Sequence, residues 1–171
     1  MKSPFLLIID GPMGSGKTTV SLELHKNLKR TALISLDRVK KLISDFRPGN
    51  HDDLELASRI GRAMVREYLK NKINVIVEKA FTSKQFLEFF IKGFNASARV
   101  FIYQLDAPLD VRISRIRERE SKNPDAFPQT LEKIYRNSKH FTEGRYEKAK
   151  VFESHKMSSV EIAKKIMEEV R

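Results

Sequence analysis

Residues Gly11-Pro12-Met13-Gly14-Ser15-Gly16-Lys17-Thr18 read G-x-x-x-x-G-K-T, and the apolar run Phe5-Leu6-Leu7-Ile8-Ile9 precedes them by a single residue. A buried strand, a glycine-rich turn and a helix N-terminus, in that order, form a trap for phosphate. The glycines let successive N–H groups turn inward at an anion. The helix starting near Lys17 adds its unpaired N–H groups and the positive end of its dipole. Lys17 is spaced to reach the β- and γ-phosphates, and the Thr18 hydroxyl to take a place on Mg²⁺. The nucleotide-binding set is Gly11, Pro12, Met13, Gly14, Ser15, Gly16, Lys17, Thr18 and Thr19. The motif leaves open whether the terminal phosphoryl goes to water or to an acceptor.

The rest of the chain alternates between the strand period and the helix period. Phe5–Ile9 is too apolar for a half-solvated strand, as parallel strands buried on both faces are. Further strands are expected at 32–36, 73–77, 99–105 and 150–152. Between and after them, helical spacing covers 18–28, 52–70, 83–94, 109–120 and 130–145, with a short helix near 39–43. Ser158-Ser159-Val160-Glu161 is a capping box for a last helix. This order calls for an α/β fold with a parallel sheet covered on both faces, its ligands beyond the carboxyl ends of the strands. No linker or repeat divides the 171 residues, so one domain over 1–171 is expected. Asn123-Pro124-Asp125-Ala126-Phe127-Pro128 interrupts the helical stretch that follows the fourth strand, and Phe86, Leu87, Phe89, Phe90 and Ile91 crowd more than one helix face.

Composition narrows the classes. No run approaches the roughly 18 apolar residues of a membrane span. The chain has no cysteine, which excludes disulfides and thiolate metal sites and is compatible with a cytoplasmic setting. Its four histidines lack ligand spacing. A net charge of +11 suits an anionic partner, either nucleic acid or a phosphorylated metabolite, although a solvated basic surface gives the same count.

Three acids stand where expected strands end: Asp37, Glu78 and Asp106. Asp37, next to Arg38, is a candidate base or orienting group for an acceptor hydroxyl, with Arg38 a cation for an anionic substrate. It is also a plausible N-cap. Glu78 is a candidate for Mg²⁺ or for the attacking group, and Asp106, before Ala107-Pro108, reads as a helix start. Arg112, Arg115, Arg117 and Arg119 fall within eight residues, with Arg115 and Arg119 on one helix face. Such a pair can cross a transferring phosphoryl, where charge builds; the alternative is a solvated face paired with Glu118 and Glu120.

With these residues, the chain resembles the small P-loop kinases that phosphorylate nucleotides, metabolites, antibiotics or nucleic-acid ends. It looks nearest to the kinase domains of polynucleotide kinases, zeta toxins and small-molecule phosphotransferases. The resemblance rests on Gly11–Thr18, on Asp37, on the arginine-rich stretch after Asp106-Ala107-Pro108-Leu109, and on Ala126-Phe127-Pro128 ahead of Ile134-Tyr135. It implies a three-layer α/β/α sandwich with a five-stranded parallel sheet in the order 2-3-1-4-5, and a helical lid at about 112–130. It also implies MgATP as donor and Lys17, Asp37, Arg115 and Arg119 as catalytic residues; the residues themselves add Asp37, Arg38 and Glu78 toward substrate, and Thr18 and Glu78 toward the metal. Glu78-Lys79-Ala80-Phe81 departs from what these kinases carry after their third strand, which bears on the acceptor rather than the donor. The competing readings are an NTPase that hydrolyses ATP to switch a partner and a noncatalytic ATP-binding module. The guanine-reading motif N-K-x-D is absent from the sequence.

Overall fold

The computed structural model describes residues 3–47, 50–122, 128–143 and 146–171. Phe5–Asp10 forms strand β1, and all six of its residues are buried. Alternate side chains leave a strand on opposite faces. Leu6 and Ile8 accordingly enter one core with Val65, Val75, Val77 and Phe90, and Leu7 and Ile9 enter the other with Val20, Leu24, Ile76 and Ile166.

A strand apolar on both faces belongs in the middle of a sheet, and β1 is there. Around it lie β2 (Thr31–Ser35), β3 (Asn74–Glu78), β4 (Arg99–Asp106) and β5 (Lys150–Glu153), all parallel, in the order β2-β3-β1-β4-β5. Helices α1 (Lys17–Asn27) and α7 (Ser159–Val170) cover one face, and α3 (His51–Lys70) and α4 (Lys84–Ile91) cover the other. The remaining helices are α2 (Leu36–Lys40), α5 (Leu109–Lys122) and α6 (Leu131–Glu143). This is the expected three-layer sandwich. Among the described residues, no helix is long and apolar enough to cross a membrane.

Local chemistry sets the ends of these elements. The Ser158 hydroxyl accepts from the Glu161 N–H at 3.2 Å while the Glu161 carboxylate accepts from the Ser158 N–H at 2.8 Å, the capping box expected for α7. At the start of α3 the cap is Asn50, whose Oδ1 accepts from the Asp53 N–H at 3.0 Å. The Asp53 carboxylate instead takes the Arg47 guanidinium at 3.0 Å.

The crowded aromatic segment resolves into two parts. Leu87, Phe90 and Ile91 face the core, and Phe89 is left 52% exposed. Arg62 of α3 donates to the carbonyls of Phe89 and Phe90, and to Lys92 O at 3.0 Å. It thereby satisfies the helix-terminal carbonyls of α4, and its guanidinium also stacks 5.3 and 5.1 Å from the Phe89 and Phe94 ring centres. On α6, Ile134 and Phe141 are buried, whereas Leu131 and Tyr135 are about half exposed. Of the interruption expected at Asn123–Pro128, residues 123–127 lie outside the described residues, as does that part of the expected lid.

Candidate active site

The sheet order places the carboxyl end of β1 between two groups of side chains. In register, Ile9 lies beside Glu78, which lies beside Ser35. On the other side Asp10 lies beside Gln104. The loop after β1 therefore meets residues from β2 and β3 on one flank and from β4 and β5 on the other.

Asp10 anchors this loop. Its carboxylate accepts from the Gly11 N–H at 2.7 Å, the Phe81 N–H at 2.8 Å and Gln104 Nε2 at 3.0 Å. Burial lifts the Asp10 carboxyl above its ordinary value, while Gln104, the two backbone donors and Lys17 pull it back. Two glycines are required by close approach. At Gly11 (φ +146°) an added Cβ would lie 2.2 Å from Leu105 O, and at Gly14 (φ +79°) it would lie 2.6 Å from Arg112 O. The loop is thus pressed against β4 and α5.

The N–H groups of the loop divide into two sets. Gly11 donates to Asp10, Met13 to Asn137 Oδ1 at 2.9 Å, and Ser15 to Pro12 O at 3.2 Å. Gly14, Gly16, Lys17 and Thr18 have no protein acceptor among the described residues, which leaves their N–H groups for an anion. Lys17 Nζ donates to Pro12 O at 2.9 Å. Its pKa is lowered, first by burial; Glu78, Asp10 and Asp37 push it up, and Arg119 pushes it down. Lys17 is therefore the point on which the fields of Glu78, Asp37 and Arg119 converge.

On the β3 side, the Thr18 hydroxyl donates to Glu78 Oε1 at 2.8 Å. Thr18 is solvent-accessible and Glu78 is buried, so two hard oxygen donors meet at the mouth of the loop. That donor set fits a magnesium ion, which takes a few protein oxygens and keeps waters. Arg38 does not join Asp37. It lines a cavity of about 240 Å³ with Thr18, His25, Ser35 and Glu78, on the α1 side of the sheet.

Asp37 was expected at the end of the second strand, but the strand stops at Ser35 and Asp37 stands in the first turn of α2. No side chain caps this helix; Asp37 instead pairs with Lys40 at 2.7 Å. Burial opposes its ionisation, but Lys40, Lys79 and Lys17 hold its carboxyl below the ordinary value. Lys79, fixed by its N–H to Ile9 O at 3.2 Å, brings its ammonium to the same place, 5.7 Å from the Phe86 ring centre. Burial and then Lys40 push the Lys79 ammonium down to about 8, against Asp37 and Asp10. Lys40 was absent from the expected site because nothing in its spacing marks it. Lys79 was marked only by following Glu78.

The four arginines of α5 do different things. Arg112 is buried and donates from Nε to Ala107 O at 2.9 Å; another nitrogen reaches Ser138 Oγ at 3.0 Å and Met13 O at 3.4 Å. Arg115 donates to Ser154 Oγ at 3.0 Å, to Ser154 O at 2.8 Å and to Gly14 O at 3.4 Å, tying the loop to the end of β5. Arg117 pairs with Glu120 at 2.8 Å. Arg119 is exposed, and its charge is felt at Lys17. The loop supports Arg112, Asn137 and Ser154 are legible only in three dimensions, since they lie on three separate elements.

Comparison with known proteins bears on this geometry. A family model described as an AAA domain matches residues 6–143. The chain belongs to the AAA domain family. The match spans the phosphate loop, the β2 and β3 flank, β4, α5 and α6. The chain is 28% identical over 115 residues to a "probable adenylyl-sulfate kinase" from Pyrococcus abyssi, covering 65% of this chain and 64% of that protein. It is 29% identical over 128 residues to a cytidylate kinase from Halobacterium salinarum, covering 71% and 62%. The match thus spans under two thirds of the length of each of these relatives. The tunicamycin resistance protein of Deinococcus radiodurans shares the fold, with a TM-score of 0.71 and 20% identity over 99% of this chain and 96% of that one.

Proposed function

We propose that this chain transfers the terminal phosphoryl of ATP to a hydroxyl of an anionic acceptor. The observation that carries the reading is the cluster of Asp37, Lys40 and Lys79 beyond β2 and β3, across the phosphate loop from α5. One carboxylate faces two ammonium groups there, which leaves positive charge for an acceptor carrying phosphate, sulfate or carboxylate. Glu78 and Thr18 would hold Mg²⁺, whose chemistry is to neutralise charge on the donor phosphates. The kinase names of both relatives support transfer over simple binding.

In the proposed step, Asp37 orients the acceptor hydroxyl and takes its proton. The acceptor oxygen forms a bond to the γ-phosphorus, and the bond from that phosphorus to the β–γ bridging oxygen breaks, giving ADP. Lys17 holds the β- and γ-phosphates. Arg119, exposed and near enough for its charge to act on Lys17, meets the charge that builds on the transferring group. Arg115 acts from behind, by fixing Gly14 and Ser154.

The test is a screen with γ-labelled ATP and Mg²⁺ over hydroxyl acceptors in matched pairs with and without an anionic group. Oligonucleotides with a free 5′ hydroxyl belong in it, given the net charge of +11. Label should move to anionic acceptors, with little free phosphate. Rapid release of free phosphate without transfer would place the chain with hydrolytic NTPases instead.

A further inference from the structure

Asn137 lies 124 residues from Met13 in sequence, yet its side-chain Oδ1 accepts the Met13 N–H at 2.9 Å. Most phosphate-loop N–H groups are either satisfied within the loop or left for the ligand, so an external acceptor on this one is a distinct feature. The next residue, Ser138, takes the Arg112 guanidinium at 3.0 Å, and the same arginine nitrogen reaches Met13 O at 3.4 Å. Both polar ends of the Met13 residue are thus held from outside the loop, one by α6 and one by α5.

The position of Met13 gives this hold a meaning. The N–H groups at the start of α1 and Lys17 cradle the inner phosphates, and Lys17 also reaches the outer one. Met13 precedes them in the loop, away from the start of α1 that would hold the inner phosphates. The Asn137 amide oxygen must face Met13, since only an acceptor satisfies an N–H. Its amide nitrogen then carries two donors that have no protein acceptor among the described residues. Asn137 is uncharged, so it can stand beside a phosphate without repelling it.

We propose that Asn137 is a positioning residue for the terminal phosphate of the donor, by which α6 makes triphosphate binding, more than diphosphate binding, depend on its own docking. This rests on the reading of the chain as an ATP-using kinase. It adds a discriminating role to a helix whose apolar face is only partly used for packing.

The experiment measures direct binding of a nonhydrolysable ATP analogue and of ADP to the parent chain, Asn137→Ala and Asn137→Asp, by calorimetry, with thermal melting in parallel. Losing one hydrogen bond to the loop should weaken the triphosphate by about tenfold in Asn137→Ala while changing ADP by less than about twofold. Asn137→Asp keeps an acceptor for Met13 and so keeps α6 docked. Its added charge should weaken the triphosphate further, again more than ADP. Equal losses for both nucleotides, no loss, or a gain in triphosphate affinity would each overturn the proposal; a gain would mean that the amide competes with the phosphate. If the parent itself binds neither nucleotide, it is the kinase reading that fails.

Discussion

The Thr18 hydroxyl and the Glu78 carboxylate meet at 2.8 Å, joining the first turn of α1 to the last residue of β3. The contact brings together a residue of the loop motif and one 60 positions away. Glu78→Gln keeps a group able to accept that hydrogen bond but removes the charge. The expected result is a fold and Tm close to the parent, with turnover down by about a hundredfold and a higher Mg²⁺ requirement. Activity assayed across a Mg²⁺ series checks it. A parental Mg²⁺ response in this variant would remove Glu78 from the metal site.

Asp37 carries a pH prediction. Its carboxyl is held below the ordinary value, so it remains ionised above that lowered value and gains a proton only as pH falls through it. On the proposed reading, turnover by the parent chain should therefore show no acid limb from Asp37 between pH 5 and pH 8 (roughly one unit or more above the ordinary Asp value). Lys40→Met takes away the nearest cation and should move the acid limb of turnover upward. Asp37→Asn should lower turnover by about 10²- to 10⁴-fold while nucleotide affinity stays close to parental. Turnover against pH for the three proteins tests the assignment.

The loop glycines are not equivalent. An added Cβ at Gly16 (φ +91°) meets nothing within 4 Å, so Gly16→Ala carries only backbone strain, about 1–2 kcal/mol. At Gly14 the same atom would run into the backbone of Arg112. Gly14→Ala should therefore lose more stability than Gly16→Ala and also displace α5, with ATP binding falling in step. Melting curves and nucleotide titrations of the two variants compare them directly.

Arg115 and Arg119 separate by readout. Arg115→Met removes hydrogen bonds to Ser154 and Gly14, and should lower Tm by about 5 °C along with activity. Arg119→Ala should leave Tm unchanged and lower turnover alone. If both variants lost only turnover, the loop would not depend on the tie to β5.

Much of the fold was legible because the strands carry their burial in their composition. Phe5–Ile9 reads as doubly buried and is central; Ser158–Glu161 reads as a cap and is one. The phosphate loop was legible because eight consecutive residues carry its pattern, and Gly11, Gly14 and Gly16 take the positive φ that such a turn needs. The flanks were not. Asn137, Ser138 and Ser154 are ordinary polar residues that matter because α6 and the end of β5 bring them to the loop. Arg115 followed a correct periodicity, since it does share a helix with Arg119. Periodicity cannot say that one guanidinium turns back to a carbonyl while the other stays in solvent. Lys40 was hidden because a lysine three residues after an aspartate is common on any helix.

The central place of β1 separates who gives from who receives. Apart from Asp10 of β1, much of what grips the loop comes from α5, α6 and the residue after β5, whereas Asp37 and Lys40 come from α2 and Lys79 from just after β3. On the proposed reading, exchange of a few side chains in those two segments would change the acceptor without disturbing the groups that hold ATP. If the proposed reading holds, the acceptor side is a replaceable address, and relatives should diverge first at residues 36–47 and 79–82.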